Sequence, residues 1–336
     1  MAMSLEQAAR RALRPARRAA RRVGLELEVR SARRQGAADL AIFHEFSPPP
    51  SGGGNQFLFA LSGELERRGV RVERNAISAA TRACLFNSFN FDFERLERFA
   101  RDGVRMVHRV DGPIGVYRGF DDGTDDRIAA VNRLAHATVF QSRYSLEKHR
   151  DLGYHFADPR VIHNAVDPSI FHPGDRRPSD RIRVISVSWS TNANKGGPVY
   201  QRFDERLDRE RYDYTFVGQS SEPLPHARTV APVPSRELAD LLREHDVFLT
   251  ASRNESCPNA LLEALACGLP ALALRSGSHP ELVGDAGLLF EDAEELPGLL
   301  DRIADEHGER RAAISIPTLA DVADSYLAAL ELDARH

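Results

Sequence analysis

From residue 38 onward, short and nearly continuous apolar runs alternate with longer stretches whose apolar positions recur every three to four residues. The short runs predict strands at 38–46 (ADLAIFHEF), 69–75, 82–88, 104–110, 137–141 and 160–163, and helical patterns such as 55–68 and 142–152 lie between them. Runs this apolar, alternating with helices, belong to a parallel sheet covered on both faces. Residues 164–180, rich in Pro, Asp, Ser and Arg, read as a linker. The alternation then restarts: strand 181–188, helix 197–208, strand 212–217, helix 235–244, strand 246–251, helix 258–267, and strands 270–274 and 287–290. Helical segments near 293–306 and 316–332 close the chain. The expected fold class is α/β, with two Rossmann-like doubly wound parallel-sheet domains, 37–170 and 171–315, facing a cleft. In such sheets ligands bind beyond the carboxyl ends of the strands.

Composition narrows this picture. A chain of 336 residues with 42% apolar content suits two ordinary cores. No run of 18 apolar residues is present to span a bilayer, and Arg and Ala fill the place of a secretory h-region. The three cysteines, Cys84, Cys257 and Cys267, form no CxxC pair, which fits a reducing cytoplasm. Of the basic residues, 43 are Arg and two are Lys, Lys148 and Lys195. Residues 1–36 hold ten Arg and three Glu in a chain of net charge −4, so a basic arm precedes an acidic body. Residues 4–23 show helical spacing of Leu5, Ala8, Ala12, Ala16, Ala19 and Val23, with Pro15 as a kink. The partner expected for this arm is an anionic membrane surface and not nucleic acid; a merely solvated tail is the plain alternative.

The sharpest chemistry lies in 246–274 (DVFLTASRNESCPNALLEALACGLPALAL). An apolar strand leads into a polar loop; Pro258 takes the first helical position, and Gly268 ends the helix. The helix is apolar all round except for Glu263. A carboxylate there is either paired with an arginine or kept for a ligand, such as the vicinal diol of a ribose. The helix start at Pro258, Asn259 and Ala260 is a ready site for a diphosphate. A sugar attached to that diphosphate would lie near Glu255 on the preceding loop. In the first domain, Ser51-Gly-Gly-Gly54 follows the first strand, and Gly53 and Gly54 let a ligand approach the backbone, unless the run is only a flexible turn. Val107-His-Arg-Val-Asp111-Gly-Pro ends a strand in a polar cluster. Asp111 either caps the turn or binds a ligand hydroxyl, with His108 and Arg109 just before it on the strand.

Glu255-x7-Glu263 followed by Ala-Cys-Gly-Leu-Pro resembles the signature of retaining glycosyltransferase family 4, which has the two-domain GT-B fold. The resemblance covers roughly residues 40–332. It implies that Glu263 binds the donor ribose, that Glu255 binds hydroxyls of the transferred sugar, and that the backbone of 258–260 receives the diphosphate. Lys195, in Ser186-Val-Ser-Trp-Ser-Thr-Asn-Ala-Asn-Lys-Gly-Gly, would by resemblance bind the donor phosphates. The family often carries an Arg six residues earlier, where this chain has Trp189. The glycine loop would reach toward the donor, Asp111 would stand where the family often has a His, on the acceptor side with His108 and Arg109, and the final helix would cross back onto the first domain. Glu281, in Ser278-His-Pro-Glu281, would be structural or substrate-side.

The function so implied is sugar transfer with retention from a nucleotide-diphosphate sugar to a saccharide or lipid-linked acceptor near Asp111 and 115–123. Glu255, Asp111 and Lys195 would be the catalytic set. No metal or cofactor is called for beyond the co-substrate, since a lysine and helix amides supply the positive field. Cell-surface polysaccharide or glycoconjugate synthesis in the cytoplasm, at the inner membrane face, fits the basic arm. A nucleotide-sugar epimerase, or a non-catalytic sugar-nucleotide-binding partner, is the alternative.

Overall fold

The structure, a computed structural model, describes residues 21–47, 53–174 and 179–333. The first domain is built on six parallel strands, β1 (Leu40–Phe43), β2 (Val72–Arg74), β3 (Ala83–Phe86), β4 (Arg105–Val110), β5 (Ala137–Phe140) and β6 (Pro159–Val161), in the order β2-β1-β3-β4-β5-β6. The second has β7 (Ile182–Ser188), β8 (Tyr212–Gly218), β9 (Arg228–Val230), β10 (Val247–Thr250), β11 (Ala271–Leu274) and β12 (Gly287–Phe290), in the order β12-β11-β10-β7-β8-β9. Counted from its own first strand, the second sheet is the 3-2-1-4-5-6 arrangement, and its order reverses between β7 and β10. The first sheet reverses between β1 and β3. Strands β1, β3, β5, β10 and β11 are buried at every position, as their unbroken apolar runs require.

The helices are α1 (21–32), α2 (Gly53–Arg67), α3 (Phe93–Phe99), α4 (Ile114–Arg118), α5 (Thr124–Asn132), α6 (Arg143–Asp151), α7 (Gly197–Arg206), α8 (Ser235–Arg243), α9 (Asn259–Ala266), α10 (His279–Val283), α11 (Leu296–Asp305), α12 (His307–Ala312) and α13 (Leu319–Leu330). In the second domain one core layer holds the apolar faces of α8 and α9 and the other those of α7 and α11. In the first domain α2 and α13 fill one layer, where Tyr326 packs against Phe57 at 5.9 Å. The chain therefore crosses between domains twice. Ala165 lies in the first core and Phe171 in the second; on the return, Ile316 packs on the second core and Leu319 lies in the first.

The helix expected over 4–23 lies outside the described residues up to residue 20. The helical stretch from 21 onward is not a free arm. Leu25 and Val29, one turn apart, are buried with Phe43, Phe86 and Phe91 in the first domain's other core layer. Arg95 bonds Glu28 at 2.7 Å, and Arg21 pairs with Asp92. Val23 and Leu27 face outward at 62% and 61% exposure. No helix among the described residues is long and apolar enough to cross a membrane.

Candidate functional site

A cleft of about 600 Å³ opens between the two domains at the strand carboxyl ends. Its walls include His44, Gly53, Gly54, Asp111, Lys195, Glu255, Pro258, Asn259, Ala260 and Glu263. Nine of the eleven residues singled out in the sequence thus meet at one place. The loops after β7 and β10, which flank the reversal point of the second sheet, supply Lys195 and Glu255.

Lys195 stands at the end of a single 3-10 turn (Ala193–Lys195) closed by Gly196. Its Nζ lies 2.5 Å from Glu255 Oε1 and 5.5 Å from the centre of the Tyr117 ring, which comes from the opposite domain. Burial presses the ammonium toward deprotonation. Glu255 first, and Tyr117 after it, outweigh burial and hold the Lys195 pKa above its ordinary value. Glu255 is held from behind by the 276–278 turn, where Ser278 N–H donates to its carbonyl at 2.9 Å. Gly277, at φ +59°, presses so close that a Cβ would stand 2.5 Å from the Glu255 carbonyl oxygen, which is why that turn carries a glycine. Glu281 contributes outside the cleft, accepting from the Arg143 amide at 3.2 Å across the domain boundary.

Pro258 is the residue before α9 and not its first helical residue. Having no N–H, it cannot serve as a donor; its carbonyl accepts from Leu261 and Leu262. The N–H groups of Asn259 and Ala260 are left without a backbone acceptor among the described residues, so the anion-facing donors number two and not three. One turn further along α9, Glu263 is 6% exposed and no ion pair or hydrogen bond reaches its carboxylate among the described residues. Burial alone pushes its pKa up to about 7. Glu263 also borders a smaller side cavity of about 290 Å³, walled by Phe57, Phe59, Val166, Ile170 and Phe171.

Two expectations fail. His108 and Arg109 are wholly buried and do not line the cleft. The His108 ring stacks on Phe86 at 4.4 Å, and its nitrogens meet Ser88 O at 3.3 Å and Asn132 at 3.0 Å. Burial drives its pKa down to about 3. β4 is a central strand with both faces covered, His108 meeting Asn132 of α5 and Arg109 lying against Phe57 of α2, so Asp111 is the first of this cluster to emerge. Asp111 lines the cleft with Oδ1 shared between Arg109, at 3.2 Å, and Gln141. His44, passed over in the sequence because it follows β1 inside an apolar run, is a cleft residue. Trp189 also lines the cleft and is 37% exposed.

Gly53 and Gly54 differ in kind. A Cβ on Gly53 would stand 2.9 Å from Asn259 Nδ2 and 3.1 Å from its Cγ, whereas one on Gly54 would meet nothing. The Gly53 carbonyl accepts from Asn259 Nδ2 at 2.7 Å, which ties α2 of one domain to α9 of the other. Gly53→Ala is expected to part the domains there and slow turnover by about 10- to 100-fold, the range that small misplacements cost, while Gly54→Ala stays near wild type. Steady-state kinetics of the two variants side by side checks this.

The architecture is the two-domain, Rossmann-like GT-B fold. Sucrose-phosphate synthase from Thermosynechococcus elongatus superposes with a TM-score of 0.66 at 16% identity, covering 88% of this chain and 95% of that one. Anabaena HepE, solved in complex with UDP and glucose, gives 0.61 at 16% identity over 87% and 95%. In sequence, residues 199–305 match the family model described as Glycosyl transferases group 1. The N-acetyl-alpha-D-glucosaminyl L-malate synthase of Bacillus anthracis is 45% identical over 175 residues, 48% of this chain and 46% of that protein. The chain spans less than half the length of the curated relatives it matches first.

Proposed function

We propose that the chain is a retaining glycosyltransferase of family 4, using a nucleotide-diphosphate sugar. One observation carries the reading: a buried carboxylate, Glu263, with no partner among the described residues opens onto the same cleft as a lysine and the Asn259 and Ala260 amides. A buried charge without a partner is costly unless a ligand satisfies it. The similarity of residues 199–305 to Glycosyl transferases group 1 supports it.

In this reading the ribose diol donates to Glu263, and the base enters the apolar side cavity. The diphosphate meets the Asn259 and Ala260 amides and takes Lys195 from Glu255. The carboxylate of Glu255, released from the ammonium, accepts from hydroxyls of the sugar. The acceptor, a saccharide or lipid-linked saccharide, lies against the first domain near Asp111 and α4. The anomeric C–O bond to the β-phosphate breaks as the acceptor oxygen attacks from the same face, and the acceptor proton passes to the departing phosphate. Lys195 and the two amides offset the charge left on that phosphate.

A thermal-shift series tests it. Nucleoside diphosphates and their sugars are expected to stabilise the protein, by about 3 kcal/mol at a hundredfold excess over Kd, and one sugar should be transferred only when an acceptor is supplied. No stabilisation by any nucleotide ends the reading; a new nucleotide sugar formed without an acceptor identifies an epimerase instead.

We further propose that the enzyme works at the cytoplasmic face of the membrane, in cell-surface polysaccharide or glycoconjugate assembly, with residues 1–20 drawn to anionic lipid. Because Leu25 and Val29 belong to the first core, the informative deletion stops at residue 20. That segment holds five Arg and one Glu. At about 1 kcal/mol per basic residue near an anionic surface, its loss should release the protein from phosphatidylglycerol vesicles. Equal co-sedimentation of both chains would remove the segment's role.

A further inference from the structure

Under the cleft floor lies a side chain that can only donate. Arg109 is fully buried, its guanidinium 4.8 Å from the centre of the Phe57 ring. Nη1 donates to Asn87 Oδ1 at 2.7 Å and to Asp111 Oδ1 at 3.2 Å; Nη2 donates to Asn164 Oδ1 at 2.9 Å. An arginine has five N–H donors and no acceptor, so both amides must turn their oxygens to it. Everything beyond them follows in sequence. With its oxygen committed, Asn87 can offer only Nδ2 to His44 Nδ1, 3.4 Å away. Asn164 can offer only Nδ2, which reaches Gln141 Oε1 at 3.0 Å and Asn259 Oδ1 at 2.9 Å. Gln141 must then give Nε2 to Asp111, and Asn259 must give Nδ2 to the Gly53 carbonyl at 2.7 Å. All three branches end on groups that line the cleft: His44, Asp111, and the Asn259–Gly53 contact between the domains.

We propose that Arg109 is a positioning residue that sets the direction of every hydrogen bond along this floor, so that His44 is held as the Nε2–H tautomer and Asn259 is latched to the first domain. His44 Nδ1 is spent as an acceptor, and Nε2, buried with no hydrogen-bond partner among the described residues, is the donor the ring has left. Burial, and then the nearby Arg109 charge, keep the imidazole neutral by lowering its pKa. His44 thus offers an N–H to a substrate oxygen and does not act as a base. The oxygen of the Asn259 side chain and one of its two N–H groups are consumed by the first domain, so the first residues of α9 face a ligand with their backbone N–H groups. The tautomer needs no assumption about the reaction; the effect of the latch on turnover rests on the transferase reading.

The test has two arms, both on the full chain. With 15N-labelled histidine, long-range 1H–15N spectra report which ring nitrogen of His44 carries the proton, the signal being assigned by its loss in His44→Gln. The expected native state is protonated Nε2 and bare Nδ1. In Asn87→Asp, where the carboxylate can only accept, the proton should move to Nδ1. A native Nδ1–H, a mixture of tautomers, or an unchanged tautomer in Asn87→Asp would overturn the proposal. In the second arm, Asn164→Asp removes both donors. Nucleoside diphosphate affinity should stay within about twofold, because the second domain supplies those contacts, while turnover falls by about tenfold or more, as loss of orientation predicts. Unchanged turnover, or a parallel loss of affinity, would remove Arg109's role through Asn164. Should native protein bind no nucleotide at all, the transferase reading fails while the tautomer result still stands or falls alone.

Discussion

Glu263→Gln is expected to make the empty protein more stable at pH 8 and to make nucleotide binding worse. The Glu263 pKa is raised by burial from 4.5 to about 7. A raised carboxyl pKa means that the folded state holds a proton more tightly than the unfolded chain. Stability from this group therefore falls as pH climbs from about 4.5 to about 7, and the full penalty is present above that. A shift of this size corresponds to a penalty on the order of 3 kcal/mol. Gln keeps the shape and never ionises, although its amide is also buried, so a gain of about 1–3 kcal/mol is expected at pH 8 and almost none at pH 5. Denaturant unfolding of both proteins at the two pH values measures it. The same variant should bind nucleoside diphosphates about 10- to 100-fold more weakly, because hydrogen bonds to a charged acceptor are worth about 1.5–3 kcal/mol. A variant destabilised at pH 8, or one with unaltered nucleotide affinity, would mean that this carboxylate has a partner in the fold and is not reserved for a ligand.

Lys195→Met should lower turnover by about 100- to 1,000-fold, the loss typical when a group that stabilises developing charge is removed from a water-poor site. Trp189 in the cleft wall carries no charge, and the remaining positive side chain there, Arg118, is already paired with Asp122 at 2.6 Å. Lys195 therefore carries an unusual share. Since Glu255 and Tyr117 hold its pKa above the ordinary value, the ammonium persists well into alkaline solution, and activity should not decline on its account between pH 7 and 10. Stopped assays across that range, with wild type and Lys195→Met in parallel, decide the point. Activity in the variant within tenfold of wild type would move the phosphate anchor elsewhere.

The strands were legible because parallel strands sealed on both faces must be apolar throughout, and the two reversals of strand order follow once two such units are recognised. Glu263 was legible for the opposite reason: one charge on an apolar helix is conspicuous. The burial of His108 and Arg109 was not legible, because the polarity of a strand end does not reveal which helices and loops cover its two faces. Arg109 donates to Asn87 and Asn164, 22 and 55 residues away, a closure visible only after the chain has folded. His44 and Asn164 were hidden similarly, one in an apolar run and the other in a segment whose composition reads as linker. Pro258 stands one position before the helix start the sequence suggests, and at either position it lacks an N–H to give a diphosphate.

The α13 helix gives the first domain an unusual dependence on synthesis order. Tyr326 and its neighbours complete a core whose strands leave the ribosome far earlier, and the whole second domain intervenes. Until those last turns emerge, Phe57 and Leu61 have an open apolar flank, so the nascent first domain must wait, shielded or loosely packed, while its companion is made. Maturation of the earlier half is thereby timed by the later one.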